Sequence, residues 1–284
     1  MYEEFYNFHT KPFSLLPDAR FLYPSTGHRM ALDVLEYGLL HRLGIVVVTG
    51  EVGSGKTTLL RYLLTRLDKD VTIGLISNTH PALGPLLPWI LEAYDIKHDG
   101  ASTRQFHALL EHLLAQYAER RNVLLVIDEA QNLDNSMLEE LRVLSNVNTD
   151  QDQILQIILI GQPELRSKLS QPACEAFAQR VAAEYHLQPL KADEVCAYIR
   201  HRLTFAGGEP DIFETDACRL IAHCSRGIPR LINSVCDLAL VYGFAEQRSR
   251  IDISIVHDVV RDKLQGAIVP LERRDFVSNA VMSE

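Results

Sequence analysis

The sequence predicts an α/β fold, a parallel five-stranded sheet with helices on both faces, followed by a small all-α domain. Three observations predict it. Apolar, β-branched runs too short for helices alternate with stretches of helical periodicity, as right-handed strand–helix–strand crossovers require. The first run feeds straight into a glycine-rich turn and a helix, Gly50-Glu51-Val52-Gly53-Ser54-Gly55-Lys56-Thr57-Thr58. From Lys191 onward only helical periodicity remains.

Taken in order, residues 2–29 are rich in aromatics, and Pro12, Pro17 and Pro24 forbid one long helix there. The segment is expected to wrap the domain as loops and short turns, with its aromatics packed inward. His28–Leu43 reads as a helix, because Met30, Ala31, Val34, Leu35, Gly38 and Leu39 recur at helical spacing. Ile45–Thr49 is the first strand, and the helix after the glycine turn runs to about Leu67. Val71–Ile76 is the second strand, ending in Ser77-Asn78-Thr79. Leu86–Tyr94 and Gln105–Arg120 are helices, the second with Phe106, Leu109, Leu110, Leu113, Leu114 and Tyr117 on one face.

Val123–Ile127 is unbroken apolar sequence, the mark of a strand covered on both faces. Ser136–Ser145 is a helix, and Ile154–Ile160 a buried strand that ends in Gly161-Gln162-Pro163-Glu164-Leu165. A helix over Cys174–Arg180 leads to a fifth strand at Ala182–Leu187. Asp193–Ala206, Thr215–Cys224, Arg230–Ala245 and Ser254–Leu264 then form helices, broken at Gly207-Gly208 and Gly227-Ile228-Pro229. The expected organisation is an N-terminal wrapping segment (1–29), an α/β core (30–190), a helical lid (191–265) and a flexible tail (266–284).

Composition narrows the class. The chain has 284 residues, 47% hydrophobic and 23% charged, which is enough for sizeable cores. A formal charge of −9 argues against a dedicated nucleic-acid coat. Cys174, Cys196, Cys218, Cys224 and Cys236 form no C-x-x-C pair, as expected of reduced thiols in the cytoplasm. The N-terminus is acidic where a signal peptide would be basic, and no apolar run approaches a membrane span. A soluble, cytoplasmic protein is expected. The histidines offer no H-E-x-x-H, and His107 and His112 fit surface or core positions better than a metal site.

The chemistry is concentrated in two stretches. A strand entering G-x-x-x-x-G-K-[ST] and a helix leaving it is the context of a P-loop, the Walker A motif. Its glycines let backbone N–H groups of residues 50–58 point at phosphate oxygens, and the helix N-terminus adds partial positive charge. Lys56 is expected to reach the β- and γ-phosphates, and the Thr57 hydroxyl to ligate Mg²⁺. The aromatic N-terminal segment is then a candidate to close over the nucleotide base. Asp128-Glu129 ends the apolar strand at the carboxyl edge of the sheet, where ligands bind. Downstream of a P-loop this pair reads as Walker B. Asp128 is expected to hold the Mg²⁺ shell through water, and Glu129 to orient and deprotonate the attacking water.

Further strings make the sequence resemble the AAA+ ATPases, and more closely the general secretion pathway protein A (ExeA-like) family. They are Phe8…Lys11-Pro12-Phe13…Pro17-Asp18…Phe21-Leu22-Tyr23, the P-loop, and Ile127-Asp128-Glu129-Ala130-Gln131-Asn132-Leu133. With them stand Gly161-Gln162-Pro163-Glu164-Leu165 and Gly227-Ile228-Pro229-Arg230-Leu231-Ile232-Asn233. The resemblance runs to about residue 265. It implies sensor 1 at Gln162, sensor 2 at Arg230, a partner for Glu129 at Asn78, and an arginine finger at Arg180 reaching into a neighbouring subunit. It also implies an ATP-hydrolysing homo-oligomer whose lid movement drives protein partners in type II secretion, pilus or exopolysaccharide export. Long secretion members continue into a transmembrane helix and a peptidoglycan-binding region. Neither pattern occurs in these residues, so an envelope role is expected to run through partners at the inner membrane. The alternative is a nucleotide-dependent DNA-binding regulator of the transposition or replication type, its contacts supplied by Arg248, Arg250, Arg261, Lys263, Arg273 and Arg274.

Overall fold

The computed structural model describes residues 1–68, 70–77, 84–97, 100–147 and 153–265. The described residues divide into two compact units, one within residues 26–52 and 56–188, the other of residues 1–25, 53–55 and 189–265.

The first unit is a five-stranded parallel sheet of β1 (Ile45–Gly50), β2 (Val71–Ile76), β3 (Asn122–Ile127), β4 (Leu155–Gly161) and β5 (Val181–Leu187), in the order β2-β3-β4-β1-β5. The strands richest in unbroken apolar sequence occupy the middle. β1 and β4 are buried throughout, because parallel crossovers cover both faces of the sheet. On one face Ile45, Val47, Leu125, Ile127, Ile157 and Leu159 share a core with α4 (Leu86–Ala93), α5 (Ser102–Ala118) and α6 (Asn135–Leu144). His112 of α5 stacks on Tyr94 with ring centroids 5.3 Å apart, a packing role.

α2 (Thr26–Leu40) comes close to β1 because Gly38 has no side chain; a Cβ there would stand 2.6 Å from a Val46 methyl. Gln156, buried in mid-β4, donates its amide to the Gly38 and Leu39 carbonyls at 3.0 and 3.1 Å, and so satisfies the end of that helix. α3 (Lys56–Arg66) follows the glycine turn.

Two local expectations need correction. A helix absent from the sequence reading, α7 (Pro163–Leu169), follows β4 directly. Pro163 occupies its first turn, where the missing N–H costs nothing. The stretch read as one helix over Cys174–Arg180 is a 3₁₀ turn at Pro172–Cys174 and a single α-turn, α8 (Glu175–Ala178). Arg180 therefore stands in the link into β5.

The helical unit comprises α9 (Ala192–Phe205), α10 (Thr215–Ser225), α11 (Pro229–Ala245) and α12 (Ile253–Gln265), with α1 (Tyr2–Phe5) from the N-terminus. Tyr2, Tyr6, Phe8 and Phe13 join its core beside Val195, Ile199, Leu203, Val235 and Val256. Tyr2 Oη donates to Asp237 at 2.5 Å, and Lys11 pairs with the same carboxylate at 2.9 Å. Arg202 of α9 is buried. Its Nε donates to the Pro12 carbonyl at 2.7 Å, and its guanidinium lies 4.3 Å over the Phe21 ring. The aromatic sequence that forbids a long helix thus becomes part of this unit's core.

Candidate active site

The strand order brings the carboxyl ends of β3, β4 and β1 side by side, with Ile127 beside Leu159 and Thr49 beside Gly161. Residues placed just beyond those ends converge on one spot.

The P-loop leaves β1 at Gly50. Gly53 (φ 80°) and Gly55 (φ 100°) adopt left-handed backbone that side chains disfavour, which is why glycine stands at both positions. Lys56, the first residue of α3, is buried. Its Nζ donates to the Gly50 and Glu51 carbonyls at 2.7 and 2.9 Å, folding the ammonium back over the loop. Burial lowers its pKa, while the charges of Glu129 and Asp128 oppose the shift.

Asp128 follows β3 and is 6% exposed. Its two oxygens accept from the Thr57 hydroxyl and the Glu129 N–H, each at 2.9 Å. Burial raises its pKa above the usual carboxylate range, and those two donors pull it back. A hydroxyl and a carboxylate facing each other at the start of α3 are hard oxygen donors of the kind Mg²⁺ takes. The residues present fit that ion, and Thr57 and Asp128 are the side chains that would hold it.

Glu129 has left-handed backbone (φ 55°), which turns the chain sharply off the strand into a 3₁₀ turn, Ala130–Asn132. Its Oε2 accepts from Gln131 Nε2 at 2.5 Å and Gln162 Nε2 at 3.1 Å. Gln162, at the end of β4, thereby joins the group predicted from sequence. Gln131 does so too, with no role foreseen for it.

The remaining predicted residues are placed as follows. Asn78 lies outside the described residues. Arg180 is exposed, its backbone N–H donating to the Phe177 carbonyl at 2.9 Å, and it pairs with neither Glu175 nor Glu184. Within the helical unit, which includes Gly53–Gly55, the Arg230 N–H donates to the Gly53 carbonyl at 3.1 Å. A Cβ on Gly53 would stand 2.5 Å from Arg230 Cβ, a second reason for glycine there. The Arg230 side chain is exposed.

Residues 40–169 match the AAA domain family. General secretion pathway protein A of Aeromonas hydrophila is 42% identical over 260 residues, covering 90% of this chain and 48% of that protein. The chain thus spans about half the length of that relative. Among solved structures, Cdc6p from Pyrobaculum aerophilum superposes with a TM-score of 0.64 at 19% identity, over 87% of this chain and 71% of that one. The Aeropyrum pernix ORC2 protein in its ADPNP-ADP complexes gives 0.61 at 17% identity, over 84% and 68%. At these identities the structures establish a shared P-loop fold.

Proposed function

The chain belongs to the AAA+ ATPases akin to general secretion pathway protein A, and on that premise we propose that it binds and hydrolyses ATP to assemble or switch an envelope export system. One observation carries the catalytic part: Lys56 and Thr57, Asp128 and Glu129, and Gln162 come from three separate strand ends and meet at one place.

In this reading Lys56 leaves the loop carbonyls for the β- and γ-phosphates, and backbone N–H groups of residues 50–58 cradle the phosphate chain. Thr57 and Asp128 would hold Mg²⁺, which would neutralise developing charge on the phosphate chain. Glu129 accepts a proton from the attacking water. The water oxygen bonds to the γ-phosphorus, the bond to the bridging oxygen breaks, and ADP leaves. Gln162 reads the γ-phosphate. Arg230 by resemblance supports the same group, and Arg180 serves the site of a neighbouring subunit in a homo-oligomer.

The export role rests on the relative's name and extends to this chain as a proposal, with protein partners bringing it to the inner membrane from the cytoplasm. No helix among the described residues is long and apolar enough to cross a membrane. Of the residues on which the DNA-binding alternative rests, Arg248 pairs with Glu246 and Asp252, Arg261 with Asp258 and Asp262, and Lys263 donates to Ser234. Arg250 is exposed, and Arg273 and Arg274 lie outside the described residues.

Two variants test the catalytic reading. Lys56→Ala is expected to abolish ATP binding in a direct titration. Glu129→Gln is expected to keep binding while phosphate release falls on the order of 10²–10⁴-fold, the usual contribution of a positioned base. Parental binding by the first, or parental turnover by the second, overturns the assignment of that residue.

A further inference from the structure

We propose that Gln131 is a positioning residue for hydrolysis, a side-chain clamp that sets where the Glu129 carboxylate points. The proposal rests on the reading of Glu129 as the base.

Gln131 is tied at both ends of its amide. Its Nε2 donates to Glu129 Oε2 at 2.5 Å, and its Oε1 accepts the main-chain N–H of Gln162 at 3.0 Å. Only one orientation of the amide satisfies both partners. Turned over, it would set an oxygen against a carboxylate and an NH₂ against an N–H. The Gln162 backbone therefore aims the Gln131 donor at Glu129.

The support beneath the clamp is equally specific. Lys168 of α7 donates its Nζ to the Gln131 carbonyl at 2.7 Å and to the Leu133 carbonyl, pinning the 3₁₀ turn that carries the glutamine. Gly161, just before Gln162, leaves room for both the Leu165 side chain and the amide; a Cβ there would stand 2.8 Å from Leu165 Cδ2 and 3.1 Å from Gln131 Oε1. Glu129 itself sits on left-handed backbone at the turn off β3, and its carboxylate is held there by the Gln131 and Gln162 amides.

Gln131 differs from Gln162 in one respect that matters. Both amides hold Oε2, yet Gln162 is also the residue proposed to read the γ-phosphate. Its NH₂ group carries two N–H donors, which Glu129 and the γ-phosphate would divide, whereas both ends of the Gln131 amide are committed to Glu129 and the Gln162 backbone. Gln131 is the donor with no proposed nucleotide contact, so its contribution is made during turnover rather than in binding.

The test is a set of variants measured by steady-state phosphate release, titration with a fluorescent ATP analogue, and thermal unfolding as the fold control. Gln131→Met keeps the length and removes the donor. Its kcat is expected to fall about 10–100-fold, the cost of a misplaced reacting group, with KM and analogue affinity within twofold of the parent. A purely structural residue would instead move KM and the unfolding midpoint along with kcat. Gln131→Asn, which keeps the amide but cannot span both partners, should fall between the two. Parental kcat in Gln131→Met, a raised basal rate, or a loss confined to KM overturns the clamp while leaving Glu129 intact. Parental turnover in Glu129→Gln, run alongside, overturns the base assignment and the clamp together.

Discussion

Replacing Thr57 by valine tests how the P-loop and the acidic strand end are joined. Valine matches threonine in shape and removes only the hydroxyl. That hydroxyl donates at 2.9 Å to Asp128 Oδ2, and the only other donor to the carboxylate among the described residues is the Glu129 N–H on its second oxygen. Asp128 is buried, so the orphaned oxygen has little access to water in compensation. Hydrogen bonds to charged groups contribute about 1.5–3 kcal/mol. For a domain of this size each kcal/mol moves the unfolding midpoint about 2–4 °C. In EDTA at pH 7, Thr57→Val should therefore unfold roughly 3–12 °C below the parent. Burial already raises the Asp128 pKa, and losing a donor raises it further, so the deficit should shrink as the pH falls and the group is protonated. Mg²⁺ with ATP at a hundredfold excess over Kd stabilises a binding-competent chain by about 2.7 kcal/mol. A variant lacking one metal holder should gain much less, and Thr57→Ser should recover both effects. Differential scanning calorimetry with and without Mg²⁺ reads all of this. A Thr57→Val chain that melts with the parent in EDTA, or takes the full Mg²⁺-ATP increment, would refute the coupling.

Three further outcomes follow from the same geometry. Asp128 has a folded pKa above its unfolded value, so its ionisation costs the nucleotide-free chain stability above the folded pKa. Asp128→Asn should thus melt higher than the parent at pH 7–8, lose that advantage as pH falls toward about 4, and lose Mg²⁺-dependent turnover throughout; an unchanged melting curve at pH 7 contradicts the burial argument. Arg180→Ala should bind ATP but turn over on the order of 10³-fold more slowly, and mixing it with inactive Glu129→Gln subunits should recover activity; parental activity of Arg180→Ala alone removes the finger and leaves Arg166 or Arg142 to be tested next. Arg202→Met should strip donors from the Pro12 carbonyl and Tyr198 hydroxyl and the cation from Phe21, costing about 2–4 kcal/mol. Limited proteolysis should then cut within residues 12–24, and protection equal to the parent's would show that Arg202 does not hold that segment.

Much of this chain was legible because its decisive features are local. A parallel strand covered on both faces must be apolar throughout, so residues 123–127 could hardly be read otherwise. The P-loop announces itself because left-handed backbone at Gly53 and Gly55 is a demand on single residues. Asp128 and Glu129 were legible as the polar end of an apolar strand. Where local signals conflict, the reading failed: Pro163 after β4 looks like a stop, yet proline is equally at home in the first turn of a helix, and there α7 begins.

Other features depend on residues far apart in sequence. The aromatic N-terminus could be seen to bury itself, but not that its partners would be Asp237, Arg202 and the lid helices, more than a hundred and eighty residues away. Neither could the pairing of β4 with both β1 and β3, which places Gln162 against Glu129, be read from any one segment. The role of Gln131 is the clearest case. Its position two residues after Glu129 was plain, but its amide is aimed by a backbone N–H 31 residues later in the chain. Periodicity and composition record what each segment must bury. Which polar groups then face one another is set by the long-range strand order, and only the folded sheet contains that information.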